Sequence, residues 1–199
     1  QDLTYLVHGE LLTLNTNLVG RHHARNLAAA IAVCQLLELD LDRVAERAGD
    51  IPLPRWRGET QRIAGGIDVV NDSYNANPTS MEAALRLLAE TPTEGRRIAV
   101  LGLMAELGPD ADRYHREIGA LAARVGIDMV VAVGDLARAY LDGAGDGVVG
   151  IAVADTDAAV EQLLATVQAG DRVLVKGSRA AGLEVVPVLL AERLEDATA

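Results

Sequence analysis

The sequence predicts an α/β fold, Rossmann-like, with a largely parallel sheet and flanking helices. Two observations carry that expectation. From about residue 60 onward, short apolar runs of strand length alternate with stretches of helical periodicity, the order expected when strands lie side by side and helices cover the sheet. Three clusters of polar residues also follow directly on expected strands, and in open sheets of this kind ligands gather beyond the carboxyl ends of the strands.

The elements can be justified in order. Residues 3–14 alternate apolar and polar side chains, which suits a hairpin or edge strands. Gly20 precedes a helical pattern from about Arg25, with Ala28, Ile31, Ala32 and Leu36 expected on one apolar face, and a short second helix is expected over residues 40–47. Ile51-Pro52-Leu53-Pro54 breaks the pattern and reads as a domain junction. Beyond it, residues 60–63 and 67–70 flank Gly65-Gly66, a pair that tolerates the positive φ of a tight turn, so a hairpin is expected. Asn77 can cap a helix with Pro78 at its first position, and Met81, Ala84, Leu85 and Leu88 recur at helical spacing. Strands are expected at 97–101, 129–133, 148–153 and 172–175. Between them lie a helix carrying Ile118, Leu121, Ala122 and Val125 and helical stretches near 136–141 and 157–167. A final helix is expected over 181–194, with Pro187 kinking it or delaying its start.

The totals narrow the function classes. In 199 residues, 29 acids outnumber 18 bases for a net charge of −11, and no run of like charge stands out. That balance argues for solubility and against a nucleic-acid footprint or a polybasic membrane patch. No stretch approaches the length of a membrane span, no signal segment opens the chain, and a cytoplasmic location is expected. The single cysteine, Cys34, lies in an apolar run and is read as a small buried side chain. Opening at Gln1 rather than methionine, the sequence is expected to be part of a longer chain.

Chemistry is expected in the three segments that follow strands, 71–78, 102–108 and 176–179. Asn71-Asp72-Ser73-Tyr74-Asn75-Ala76-Asn77-Pro78 packs a carboxylate, hydroxyls and amides before a capped helix, whose amino end favours anions, although asparagines in such places also serve as turn and cap residues. Lys176-Gly177-Ser178-Arg179 puts two cations and a hydroxyl at another strand end, suited to a phosphate or a carboxylate, with a solvated loop as the plainer reading. No histidine, cysteine and acid grouping has zinc spacing, so no metal ligands are assigned, and His115 is expected to be a structural partner rather than a base.

Together these segments resemble the Mur ligase family. Asp72-Ser73-Tyr74-Asn75-Ala76-Asn77-Pro78 is the most specific element, and Met104-Ala105-Glu106-Leu107-Gly108, His115 and Lys176-Gly177-Ser178-Arg179-Ala180 fall in the family's order and spacing. The similarity spans nearly the whole chain. It implies that residues 1–50 are the C-terminal remnant of a central ATP-binding domain and that 51–199 form the C-terminal, glutamate ligase-type domain. It further implies nucleotide-binding roles for Asn26, Arg57 and Asp72. For Tyr74, Asn75, Asn77, Lys176, Ser178 and Arg179 it implies contact with substrate, the charges of the last segment holding a dipeptide carboxylate. Two positions depart from the family pattern: His22-His23 stands where the family has His-Asn, and Leu103 stands where an acid is common.

Ligases of this family transfer the γ-phosphate of ATP to a carboxylate and let an amine attack the acyl phosphate, chemistry that rests on phosphate positioning and Mg2+. No G-x-x-x-x-G-K-[ST] loop occurs here, and the family's magnesium-binding segments have no counterpart. The expectation is a C-terminal piece of the branch that adds D-alanyl-D-alanine to a UDP-N-acetylmuramoyl-tripeptide in peptidoglycan synthesis. ATP and Mg2+ would act only with the missing N-terminal and central domains, and no cofactor would be held tightly by this chain alone. The alternatives are a non-catalytic nucleotide- or peptide-binding module and a related Mur or folylpolyglutamate-type ligase.

Overall fold

A computed structural model describes residues 1–18, 20–52 and 55–198, so Leu53 and Pro54 of the expected junction lie outside the described residues. The chain folds as two compact units, Gln1–Pro54 and Arg55–Ala199.

In the first unit, β1 (Asp2–Val7) and β2 (Glu10–Asn15) pair antiparallel through a turn at His8 and Gly9, which both take positive φ. Helix α1 (Arg21–Leu36) starts a turn earlier than the expected Arg25, because it opens on Gly20 at φ 110 with no side-chain cap to mark the start in the sequence. Helix α2 (Leu41–Arg47) is capped by the Asp40 carboxylate, which accepts from the amides of Asp42 and Arg43. The core joins Leu12, Leu14, Leu18, Leu27, Ile31 and Ala48. Of the apolar face expected on α1 only Ile31 is buried. Ala28, Ala32 and Leu36 are exposed, because the face that packs within this unit is the one carrying Leu27 and Ile31. Cys34 is half-buried.

The second unit is a six-stranded sheet between two layers of helices. In order across the sheet it runs β3 (Glu59–Ile63), β4 (Ile67–Asp72), β8 (Arg172–Lys176), β5 (Arg97–Leu101), β6 (Met129–Val133) and β7 (Val149–Val153). The hairpin of β3 and β4 is antiparallel, turning through Gly65 and Gly66 at φ 78 and 74, and every other neighbouring pair is parallel. Helices α3 (Pro78–Glu90), α4 (Ala111–Val125) and α5 (Arg138–Ala144) cover one face, where Met81, Leu85, Leu121 and Tyr140 pack on Ala99, Leu101, Val130 and Leu174. Helices α6 (Thr156–Thr166) and α7 (Val186–Thr198) cover the other, where Val160, Leu163 and Leu190 meet Val69, Ile98, Val131 and Val175. Residues 98–101 and Met129–Val133 are apolar throughout because each strand is covered on both sides.

Several local expectations are met side chain by side chain. Asn77 caps α3 in a reciprocal box with Ser80, Pro78 opens the helix, and the buried residues are the four expected, Met81, Ala84, Leu85 and Leu88. Pro187 delays the last helix rather than kinking it: two short turns, Arg179–Ala181 and Leu183–Val185, precede α7, and the proline sits in its first turn, where no amide donor is needed. Helices α4 and α5 cross so closely that a Cβ on Gly119 would lie 1.8 Å from the Tyr140 carbonyl oxygen, and one on Gly143 would lie 1.9 Å from that of Arg116. At the amino ends of the central strands, the buried Asp171 carboxylate accepts from the Arg96 amide at 2.8 Å, the Arg96 guanidinium at 2.6 Å and the Gln168 amide at 2.9 Å. Burial pushes that carboxyl up, but the bonds from Arg96 and Gln168 outweigh it and hold it below the ordinary carboxylate range. Among the described residues, no helix is long and apolar enough to cross a membrane.

Candidate functional site

Strand β8 sits between β4 and β5, and the chain leaves its carboxyl end toward α7 on one face, while its two neighbours send their connections to α3 and α4 on the other. Loops that part in opposite directions from adjacent strands open a crevice at the strand ends. The register aligns Asp72, Lys176 and Leu101 across the three strands, so all three sequence-predicted segments emerge side by side. Close approach is built in here: a Cβ on Gly102 would lie 2.8 Å from that of Ala181 and 2.9 Å from Leu183 Cδ1, so only glycine fits.

Lys176 is buried, its side chain 3% exposed, and its ammonium donates to Asp72 Oδ2 at 2.6 Å, the Asn75 carbonyl at 3.1 Å and the Asp72 carbonyl at 3.4 Å. An ammonium has three donors, and all three acceptors come from the chain itself. The expected open cation at the strand end is therefore a fastener that bends the 72–75 segment over β8. Ser178, also buried, uses its hydroxyl to donate to the Ala76 carbonyl at 3.3 Å and to accept from the Ala105 amide at 2.8 Å, while its own amide donates to the Leu103 carbonyl at 2.9 Å. One serine thus ties all three loops together.

Beneath the 102–107 loop lies His115, fully buried on α4. Its Nε2 accepts from the Met104 amide at 2.9 Å, which leaves Nδ1 to carry the proton and donate to the Ala111 carbonyl at 2.6 Å. The ring lies 4.8 Å from that of Tyr140, whose hydroxyl donates to the Gly102 carbonyl at 2.9 Å. Burial pushes the Tyr140 phenol well above its ordinary range, so it stays a neutral donor. Gly102 and Met104 are thus both pinned from below, and both ring nitrogens of His115 are taken up by backbone groups.

Above the crevice the chemistry is cationic and aromatic. The Arg57 guanidinium lies 4.1 Å from the centre of the Tyr74 ring, and the Tyr74 amide donates to the Trp56 carbonyl at 3.1 Å. Trp56 carries Arg55 at 5.4 Å and, from the far loop, Arg179 at 5.3 Å. Its backbone takes φ 61, a left-handed conformation that costs a non-glycine residue about 1–2 kcal/mol. Among the described residues no carboxylate pairs with Arg55, Arg57 or Arg179, so in an acidic chain these exposed guanidinium groups remain open to an anion.

The structure thus brings together Arg57, Asp72, Tyr74, Asn75, Asn77, Lys176, Ser178 and Arg179. Asn75 and Asn77 are exposed at the rim, with Asn75 Oδ1 accepting from the Ala76 amide and Asn77 Oδ1 from the Ser80 amide. Asn26 is exposed on α1 and belongs to the first unit, whereas the other eight belong to the second. Sequence reasoning missed Trp56, although an aromatic residue between two arginines at a domain edge was a signal, and the Ala105 amide, which had none. Among the described residues no three His, Cys, Asp or Glu side chains are grouped to hold a metal ion.

Comparison with known proteins follows the same residues. A family model described as Mur ligase, glutamate ligase domain matches residues 56–179. A UDP-N-acetylmuramoyl-tripeptide--D-alanyl-D-alanine ligase of Synechocystis is 38% identical over 96% of this chain and 43% of its own length. The ligase of the same name from Escherichia coli is 36% identical over 93% of this chain and 42% of its own. Among solved structures, MurF from Acinetobacter baumannii is similar with a TM-score of 0.81 at 27% identity, over 92% of this chain and 40% of that one. The MurF ligase from Thermotoga maritima in complex with ADP shares the fold with a TM-score of 0.83 at 24% identity, over 98% and 44%. The chain therefore spans about two fifths of the length of the relatives it matches.

Proposed function

The chain belongs to the Mur ligase family, and from that premise we propose that it is the C-terminal portion of an ATP-dependent ligase that joins D-alanyl-D-alanine to a UDP-N-acetylmuramoyl-tripeptide. The observation that carries the reading is the convergence of Arg57, the 72–77 segment and the 176–179 segment at one end of the sheet, in a chain 36–38% identical to ligases of that name. In this reading residues 1–50 come from the central ATP-binding domain and 51–199 form the C-terminal domain.

The residues divide by what they can do. Arg57, exposed and with its guanidinium 4.1 Å from the centre of the Tyr74 ring, is assigned to the nucleotide, and Asn26 of the first unit is assigned to it separately. Arg179 is free to meet the carboxylate of the incoming dipeptide, since a guanidinium presents paired donors that match a carboxylate. Lys176, Asp72, Ser178 and the asparagines shape the loops from which these contacts are made, and Tyr74, a residue 38% exposed, stands at the crevice rim. The donor set fits an anion. Among the described residues no three His, Cys, Asp or Glu side chains are grouped to hold a metal ion by themselves, so any Mg2+ would take further ligands from the nucleotide and from outside this chain. In this reading phosphoryl transfer depends on segments outside this chain, and the chain alone is expected to make no product.

A chimera tests the whole reading. Residues 1–199 replacing the corresponding portion of the Escherichia coli relative should restore ATP-dependent ligation of D-alanyl-D-alanine, while the 199-residue chain by itself makes no product. Ligation by the isolated chain would overturn the reading. A soluble, folded chimera that ligates some other amino acid in place of the dipeptide would overturn the substrate assignment.

A further inference from the structure

Trp56 occupies a costly conformation for a bulky residue, with φ in the left-handed region, and three contacts converge on it. Its own amide donates to Glu59 Oε2 at 3.3 Å, which fastens the 55–59 turn. Its carbonyl accepts from the Tyr74 amide, so its backbone is hooked to the segment carrying the ring under Arg57. Its indole faces the Arg179 guanidinium, which arrives from a loop 123 positions later in the chain (179 − 56). Arg179 is exposed and has no carboxylate partner among the described residues, so Trp56 is the group that restrains its side chain above the crevice.

We infer that Trp56 is a positioning residue for the acceptor substrate: its ring holds Arg179 in place for the dipeptide carboxylate, and its backbone joins that arginine to the turn carrying Arg57. The inference rests on the acceptor role proposed for Arg179. A long arginine side chain left free in solvent must be ordered when the ligand binds. A guanidinium already resting on an indole has lost part of that freedom beforehand, which raises affinity without adding a contact to the ligand. The tie from this turn to Tyr74 runs through the Trp56 backbone carbonyl, which any residue at position 56 retains, so removing the ring frees Arg179 and leaves the Arg57 side of the site in place.

The test is a double-variant cycle in the ligation-competent chimera, read as separate KM values. Trp56→Ala should raise the KM for D-alanyl-D-alanine about two- to fivefold, the factor that an exposed cation–π contact supplies, while the KM for ATP holds. Trp56→Phe, which keeps an aromatic face, should restore most of the loss. Trp56→Ala combined with Arg179→Ala should be no worse than Arg179→Ala alone. An unchanged dipeptide KM in Trp56→Ala overturns the inference, as does a double variant whose KM rises by the product of the two single factors.

A second measurement needs neither catalysis nor a Trp56 variant. Trp56 is the only tryptophan, so in the 199-residue chain Arg179→Ala should change its emission and make it more accessible to acrylamide quenching. No change in either overturns the stack itself. If the wild-type chimera shows no dependence on the dipeptide while Arg179→Ala still alters the emission, the failure lies with the proposed substrate and not with the stack.

Discussion

At the scale of single residues, two buried charges decide most of what can be tested. Lys176 is the one lysine in the chain, and its three short donors meet three acceptors that a flat guanidinium cannot satisfy together. Lys176→Arg should therefore fail to replace it, lowering stability by about 2–4 kcal/mol in denaturant melts, close to the loss in Lys176→Met. Asp171 has its carboxyl held below the ordinary value, so its contribution to stability is complete above the unfolded carboxylate value near pH 4 and is lost as pH falls through the lower folded value. Asp171→Ala should cost about 2–4 kcal/mol at pH 7, and its deficit against wild type should shrink below about pH 4. Melts across pH 2–7 check both the size and the sign. How far such residues are legible in sequence depends on distance along the chain. Asn77 and Pro78 announce their helix because cap and helix are adjacent. Lys176 and Asp72 stand 104 positions apart, so nothing local shows that the cation is already engaged.

At the scale of elements, periodicity served the second unit better than the first. The buried positions of α3 were readable because that helix packs on one sheet, and a single apolar stripe suffices. On α1 the composition is apolar on more than one side, so the stripe that packs within the unit could not be distinguished from its neighbour, and Leu36 is 83% exposed. The crossing of α4 and α5 was equally hidden, since Gly119 and Gly143 reveal close packing only when the partner backbone is known. Gly119→Ala should force the two helices apart and cost about 3 kcal/mol, the range for overpacking a dense interior. A drop in melting temperature with unchanged helical content at low temperature would bear this out, and a neutral substitution would refute it.

At the scale of the whole molecule, each unit has its own apolar core, Leu12 to Ala48 in the first and the two layers flanking the sheet in the second. A unit that buries its own core should fold by itself. Residues 55–199 expressed alone should melt cooperatively and keep the Trp56 emission of the longer chain. Loss of cooperativity on removing residues 1–54 would show that the second core depends on the first. The strand and helix alternation of this unit was legible because parallel order imposes it, but the insertion of β8 between β4 and β5 was not, since strand order lies in pairings far apart in sequence. That insertion is what gathers the three loops.

Because the chain's one lysine is also the buried fastener of the crevice, the folded protein is blind to lysine-selective chemistry. A reagent such as an acetylating or reductively methylating agent can reach Lys176 only after the 72–76 segment lifts away from β8. The modification rate at that position, read by mass spectrometry, therefore clocks the opening of the crevice without any engineered probe. It should be slow in the intact fold, rise under mild denaturant before the sheet melts, and become fast when Asp72→Asn removes the charge that holds the ammonium down.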